Sequence, residues 1–148
     1  MKTVLLPDPG TYILILRIDN TRDIEIGRIG KHTVKKGYYF YAGSAFGPGG
    51  IRARISRHLR VDKTKRWHID YIRDAGSVVS ALVNYGKKKK ECTWASKMNL
   101  SQITTTPILN FGSSDCSCKS HLFYSEKRIN IEKLRSLLGE SVEYLKIR

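Results

Sequence analysis

The sequence contains no long hydrophobic run and has few cysteines. No apolar stretch approaches the roughly 20 residues that a membrane-spanning helix needs. The start, MKTVLLPDPGTY, has too few consecutive apolar residues for the core of a signal peptide. The cysteines number three, which argues against a secreted disulfide framework and for a reducing compartment. We therefore expect a soluble, cytoplasmic protein.

Acidic residues are also scarce. The chain has 13 Asp and Glu against 27 Lys and Arg, which gives a net charge of +14 on 148 residues. This excess favours a polyanionic partner, because each phosphate that a basic side chain neutralises releases condensed counterions. An anionic membrane is the competing partner, but no segment combines a broad apolar helical face with a lysine-rich polar face. We expect nucleic acid as the partner and no membrane association.

The hydrophobic pattern predicts a single α+β domain. Hydrophobic residues make up 41% of the chain, which is enough for a packed core. Alternating and β-branched segments indicate strands, and a period near 3.6 indicates helices. The predicted strands cover 10–19, 24–34, 38–45 and 77–86, and the predicted helices cover 51–60, 67–74, 91–100 and 130–139. Short turns between the first three strands predict an antiparallel meander.

Two of the predicted helices carry charged groups close to their apolar faces. Arg54 and His58 are four residues apart and lie together at the edge of the apolar stripe of helix 51–60. Glu91 begins helix 91–100 on the side of its inner face, directly after four lysines. The cations on or beside these helices are candidate nucleic-acid contacts: Arg52, Arg57, Arg60, Lys87, Lys88, Lys89 and Lys90.

Several motifs occur in a fixed order along the chain. Gly10-Thr11-Tyr12 and Tyr41-Ala42-Gly43 each lie at the edge of a predicted strand, and a glycine-rich break with a basic helix follows the second triplet. Together with WHIDYI and FGSSDCSCKSHLFY, this order resembles the GIY-YIG endonuclease superfamily over about residues 10–125. It is most similar to the small stand-alone branch often called Uri-type. The resemblance implies one GIY-YIG-like domain, in which a small antiparallel sheet is flanked by helices.

The resemblance also implies a set of site residues and a cofactor. The catalytic candidates are Tyr12, Tyr41, Arg54 and His58. Glu91 is the implied ligand of one divalent ion, Mg²⁺ or Mn²⁺, and Asp70 is the alternative ligand. The asparagine that the family places beyond the glutamate has no counterpart, because position 103 is Ile103. Ser114 and Asp115 are candidate substitutes that would support the site.

The implied activity is metal-dependent hydrolysis of phosphodiester bonds in DNA, with DNA favoured over RNA. Tyr12 would activate water, Tyr41 would position water or phosphate, and Arg54 would stabilise the charge of the transition state. His58 would either hydrogen-bond a phosphate or relay a proton from the tyrosine. We expect cleavage directed by backbone shape or structure, or by a partner protein. The alternative is a non-catalytic nucleic-acid-binding module that uses the same basic surface.

The cysteines permit a second metal interpretation. Cys116 and Cys118 precede His121 in a short Cys-x-Cys-x-x-His segment, and Cys92 lies elsewhere in the chain. Sulfur and imidazole are suitable zinc ligands, but the usual paired Cys-x-x-Cys knuckles are missing. We therefore expect small buried thiols beside a tight loop and no structural zinc.

Overall fold

A five-stranded antiparallel sheet forms the centre of the protein. The structure is a computed structural model, which describes residues 4–113, 116–139 and 142–147. The order of the strands across the sheet is β6-β4-β1-β5-β7. These strands are β1 (Gly10–Ile18), β4 (Gly37–Ala45), β5 (Ser77–Tyr85), β6 (Leu122–Ser125) and β7 (Glu143–Lys146). A separate hairpin joins β2 (Arg22–Glu25) and β3 (Lys31–Val34), and the helices are α1 (Gly50–Leu59), α2 (His68–Ala75), α3 (Glu91–Leu100) and α4 (Ile131–Leu138).

The predicted meander is wrong. Segment 24–34 does not form one strand, because a 3₁₀ turn over Gly27–Ile29 interrupts it and the backbone φ is +46° at Gly27 and +85° at Gly30. β2 and β3 pair with each other and leave the main sheet, so β1 pairs directly with β4. This direct pairing runs from Gly10 opposite Ala45 to Ile18 opposite Gly37.

The sheet separates two apolar layers, as its period of two requires. On one face, Tyr12, Leu14 and Leu16 pack in a cluster that includes Ile51 and Ile55 of α1 and two isoleucines of α2. The other face presents Ile13 and Ile15 to a cluster formed with α3 and α4. That second cluster contains the inner residues of α3, which are Trp94, Ala95 and Met98. The predicted placement of helices on both faces is therefore confirmed.

The remaining elements agree with a small α+β domain. The predicted strands 10–19, 38–45 and 77–86 and all four predicted helices are confirmed to within a residue or two. Strand β7 was not predicted. It is an edge strand of four residues that pairs only with β5, and so short a segment gives a weak hydrophobic alternation. No helix within the described ranges is both long and apolar enough to span a bilayer.

The predicted N-cap of α4 gives a direct test of the fold. The Asn130 side chain accepts hydrogen bonds from the backbone N–H of Glu132 at 2.8 Å and of Lys133 at 3.4 Å. We expect Asn130→Ala to lower the free energy of unfolding by about 1 kcal/mol, because two helical N–H groups lose their acceptor. Asn130→Asp keeps an acceptor and is expected to stay within about 0.5 kcal/mol of the wild type. Urea unfolding measures both changes, and equal losses for the two variants would contradict this capping role.

Candidate active site

The two tyrosines of the triplets meet on one face of the sheet. Tyr12 lies opposite Gly43, and Tyr41 lies opposite Leu14, so the two side chains are diagonal neighbours on β1 and β4. Their ring centroids are 6.4 Å apart. Only 1% of Tyr12 and 9% of Tyr41 is exposed. The direct pairing of β1 with β4 therefore places both phenols under α1.

Gly43 makes room for the phenol of Tyr12. A Cβ atom at position 43 would lie 2.4 Å from the Tyr12 hydroxyl oxygen and 2.5 Å from the ring carbon that bears it. No rigid pair of atoms tolerates such a distance, so any larger residue at this position would displace the ring. The second triplet thus contributes a tyrosine and, two residues later, the space that the first tyrosine occupies.

His58 holds Tyr12 from the side of α1. Its Nε2 lies 2.7 Å from the Tyr12 hydroxyl, and the imidazole is fully buried. The Arg54 guanidinium lies near the same phenol, and its positive charge opposes the rise in the pKa of Tyr12. When His58 carries its proton on Nδ1, its Nε2 accepts a hydrogen bond from the phenol. His58 is thus placed behind the phenol, away from solvent. This position suits a proton relay and not a direct contact with phosphate.

Arg54 is fixed by two partners. Its Nη1 donates to the backbone carbonyl of Ser44 at 2.8 Å. Its guanidinium stacks on Trp67, with Cζ 4.4 Å from the ring centroid. The side chain is half-buried, so part of the planar cation faces the surface. Such a fixed guanidinium matches the geometry of phosphate oxygens.

Glu91 reaches the same edge of the sheet from the opposite layer. Its Oε1 accepts a hydrogen bond from Ser44 Oγ at 3.0 Å. The first turn of α3 is anchored nearby, because the N–H of Lys90 donates to Thr11 Oγ1 at 3.1 Å. Ser44 therefore holds Arg54 through its carbonyl and Glu91 through its hydroxyl. Sequence reasoning missed Ser44, although its position directly after the second triplet was a usable signal.

Burial dominates the protonation of these groups. It raises the pKa of Tyr12 well above its usual value, with Tyr41 adding to the shift and Arg54 opposing it. It likewise raises the pKa of Tyr41, with a further contribution from the Glu91 carboxylate. Burial lowers the pKa of His58 to about 3. Both phenols and the imidazole are therefore neutral near pH 7, and a cation is needed to favour a phenolate.

Asp70 has a structural role and is a poor candidate for the alternative metal ligand. It is 1% exposed, and its two carboxylate oxygens accept from Arg57 Nη1 and Nη2, both at 2.9 Å. One of these oxygens also accepts from the backbone N–H of Arg66 at 2.7 Å and of Trp67 at 3.0 Å. Although burial opposes it, these hydrogen bonds hold the pKa of Asp70 below its usual value. The carboxylate is thus saturated by donors at the start of α2.

The residues of the predicted basic surface differ in how exposed they are. Lys87, Lys88, Lys89, Arg52 and Arg60 are exposed and remain available to a polyanion. Lys90 is half-buried at the start of α3. Arg57 is less available than the exposed cations, because its guanidinium is paired with Asp70 and lies 4.1 Å from the ring centroid of Trp67.

A shallow groove runs beside Arg54. It lies between the glycine-rich break and the side chain of Trp67, and its lining includes Gly47, Pro48 and Arg66. A second groove on the other side of Trp67 is lined by Arg28, Arg66 and His68, among other residues. Trp67 therefore separates two cationic grooves, and its exposed edge was not predicted as part of a site.

The cysteine segment departs from its predicted environment. Cys92 and Cys116 are exposed and Cys118 is partly exposed, so these thiols are not buried as expected. The structure brings all three close to His121. Burial, together with hydrogen bonds from Cys92 and Cys116, raises the pKa of Cys118 to about 12. The predicted supporting residues Ser114 and Asp115 lie outside the described residues.

The low pKa of His58 predicts a pH-dependent stability. Because the folded pKa of about 3 lies below the unfolded value near 6.5, the stabilisation is complete above pH 6.5 and is lost on acidification toward pH 3. We expect the wild type to lose about 2–3 kcal/mol more than His58→Gln between pH 7 and pH 4.5. Urea unfolding at each pH measures this difference, and parallel profiles would contradict a buried, neutral His58.

The contact between Tyr12 and Gly43 predicts a position-specific cost. We expect Gly43→Ala to lower the free energy of unfolding by about 1–3 kcal/mol, because the added methyl group displaces the phenol. Gly47→Ala is the matched control, since a Cβ there meets nothing within 4 Å. Urea unfolding compares the two variants. Equal stabilities would show that Tyr12 does not lie across Gly43.

Comparison with known proteins places the chain in a family. A family model described as a domain of unknown function, DUF123, matches residues 11–143. No curated protein and no solved structure matches the chain. The family match begins at Thr11, inside the first triplet, and it covers the second triplet, the four helices and the Cys/His segment. The chain therefore belongs to the DUF123 family.

Proposed function

We propose that the protein is a metal-dependent endonuclease of the GIY-YIG type that cleaves DNA. One observation carries the proposal: two strands and two helices bring Tyr12, Tyr41, Arg54, His58 and Glu91 to one edge of the sheet. These residues come from four separate elements, and the same five are implied by the resemblance to the GIY-YIG superfamily. A fold that only needed a core would have no reason to gather two phenols, a guanidinium, an imidazole and a carboxylate there.

Tyr12 and His58 form the proposed proton path. A water positioned at the Tyr12 hydroxyl gives its proton to that oxygen while the phenolic proton passes to His58 Nε2, 2.7 Å away. The relay leaves the buried imidazole charged, so it becomes favourable only when an anionic phosphate is nearby. Tyr41, on the neighbouring strand, orients the water or a phosphate oxygen.

Arg54 stabilises the charge that develops on the phosphorus. Its contacts with Ser44 and Trp67 fix the plane of the guanidinium before substrate binds, so little reorganisation is needed. The groove beside it, lined by Gly47, Pro48 and Arg66, offers a path for a nucleic-acid backbone. Exposed cations on α1 and in 87–89 flank this path and supply further phosphate contacts.

Glu91 fits a single Mg²⁺ or Mn²⁺. Such an ion can bind through one carboxylate while keeping several waters, and the Glu91 side chain is 28% exposed with one oxygen used by Ser44. When bound, the ion supplies Lewis-acid stabilisation of phosphate oxygens and favours ionisation of water. Residues other than Glu91 need not supply protein ligands.

The choice of target is proposed to rest on backbone shape, on DNA structure or on a partner protein. The exposed cations lie in turns and on the outer side of α1, where they contact phosphates and not base edges. DNA is favoured over RNA on the resemblance alone.

The alternative, a non-catalytic nucleic-acid-binding module, is favoured by one observation. Tyr12 is 1% exposed, so water must gain access to its hydroxyl before any proton transfer. A binding module would use the same cations and need no such access. Both functions predict binding that weakens with salt, so only a cleavage assay separates them.

The proposal is tested by incubating the protein and Mg²⁺ or Mn²⁺ with plain, nicked and branched duplexes. We expect metal-dependent cleavage of at least one duplex, and Arg54→Ala is expected to slow it by about 100-fold or more. Arg135→Ala removes the same charge from exposed α4 on the opposite layer and is expected to cleave like the wild type. Glu91→Gln is expected to bind DNA but not to cleave it.

Two outcomes would overturn the enzymatic proposal. Salt-sensitive binding without cleavage on every duplex and with either metal would favour the binding module. Cleavage that persists equally in Arg54→Ala and Glu91→Gln would assign the activity to other residues or to a contaminant.

A further inference from the structure

The fold gathers three thiols and an imidazole from two separate parts of the chain. Cys92 lies in the first turn of α3, whereas Cys116, Cys118 and His121 belong to the loop that leads into β6. The four candidate ligand atoms all lie within 4.8 Å of one another. His121 Nε2 is 3.5 Å from Cys116 Sγ and 3.9 Å from Cys92 Sγ.

These distances are close to those of a tetrahedral zinc site. With Zn–S bonds near 2.3 Å and Zn–N bonds near 2.0–2.1 Å, neighbouring ligand atoms are separated by about 3.5–3.8 Å. The distance from His121 Nε2 to Cys116 Sγ falls in this range, and the distance to Cys92 Sγ is slightly longer. A contraction of about 1 Å brings the most distant pair of ligand atoms into range. Three sulfurs and one nitrogen are the number and type of ligands that zinc takes in closed structural sites.

The second nitrogen of His121 supports the same interpretation. The residue is 2% exposed, and its Nδ1 has no hydrogen-bond partner among the described residues. This atom faces Glu91 Oε2 at 3.8 Å, so a small movement of the carboxylate would complete a hydrogen bond. Histidines that bind a metal through one nitrogen usually donate from the other nitrogen to a carboxylate or a carbonyl. His121 is oriented in this way, with sulfur on one side and Glu91 on the other.

The loop that holds these ligands contacts the candidate active site. The backbone carbonyl of His121 accepts from the N–H of Ala42, and Phe111 packs edge-on against Tyr41 with ring centroids 6.1 Å apart. Gly112 approaches Tyr41 so closely that a Cβ would lie 3.0 Å from its ring. An ion that joined Cys92 to this loop would therefore fix both the start of α3 and the wall beside Tyr41.

We propose that the protein binds one zinc ion through Cys92, Cys116, Cys118 and His121. Binding releases three thiol protons to solvent and forms a centre of net charge −1 from Zn²⁺, three thiolates and a neutral imidazole. All four positions are filled by protein, so the zinc is structural and is distinct from the ion proposed at Glu91. Its role is to position Glu91 and the described residues 111–113 and 116–121. The zinc proposal does not depend on nuclease activity.

The first test is the metal content of the wild-type protein, purified without an affinity tag that binds metal. We expect elemental analysis to find one equivalent of zinc per chain after dialysis. Replacing zinc by Co²⁺ is expected to give the intense visible absorption of tetrahedral cobalt with thiolate ligands. Removal of zinc by a chelator is expected to lower Tm by more than about 5 °C, and added zinc should restore it.

Variants identify the ligands. Cys116→Ser and His121→Asn are expected to lose stoichiometric zinc and the cobalt spectrum. Ser117→Ala, an exposed neighbour in the same loop, and His32→Asn, in β3, are matched controls that should keep both. If a ligand variant fails to fold, the stoichiometry and cobalt spectrum of the wild type still decide the question.

Several results would overturn the zinc site. These are a wild type with neither stoichiometric zinc nor a cobalt spectrum, retention of zinc by both ligand variants, or iron in place of zinc. A disulfide among the three cysteines under reducing purification would also overturn it. Because each readout is independent of cleavage, failure here leaves the proposed nuclease untouched, and absence of cleavage leaves the zinc site untouched.

Discussion

The close approach of Tyr12 to the backbone of Gly43 is the contact on which the candidate site depends. It exists because β1 pairs directly with β4, in a register that puts these two residues opposite each other. Because the phenol of Tyr12 lies across Gly43, its hydroxyl reaches α1, where His58 Nε2 is 2.7 Å away and the charge of Arg54 is close enough to oppose the rise in the pKa of Tyr12. A shift of one residue in this register would send Tyr12 to the opposite layer of the core.

Glu91 connects two centres that the sequence gives no reason to associate. One of its oxygens accepts from Ser44, next to Arg54, and the other faces the imidazole of His121. The carboxylate therefore lies between the proposed catalytic residues and the Cys/His cluster. On this view the cluster fixes the position of the metal ligand, while the sheet fixes the tyrosines.

The sequence predicted local structure better than it predicted connections. The helices and the strands with continuous patterns were found because each contains a full apolar period, and Asn130 marked the start of α4 correctly. The predicted meander was wrong because Gly27 and Gly30, both with positive φ, interrupt segment 24–34. Hydrophobic alternation does not reveal this interruption. The motifs indicated which residues could form a site. The sequence pattern did not show that these residues meet, because their proximity depends on the pairing of β1 with β4, which hydrophobic periodicity does not predict.

Several features of the site could not be predicted because they depend on contacts between residues that are distant in the sequence. The sequence suggested Asp70 as an alternative metal ligand and Arg57 as a phosphate contact, whereas the structure pairs them with each other at the start of α2. Cys92 is far from Cys116 along the chain, so the number of ligands in the cluster is visible only after folding. Ser44 was missed because it acts through two contacts that a sequence pattern does not show. Its carbonyl accepts a hydrogen bond from Arg54, and its hydroxyl donates one to Glu91.

The central claim is that five side chains surround one phosphate and one divalent ion. It is tested most directly by a crystal structure of the protein with Mn²⁺ and a short duplex containing a non-hydrolysable linkage. The anomalous signal of manganese is expected within about 2.2 Å of a Glu91 oxygen, with the linkage phosphate in contact with Arg54 and near the Tyr12 hydroxyl. A manganese ion bound elsewhere, with the duplex on a surface remote from both tyrosines, would contradict the account.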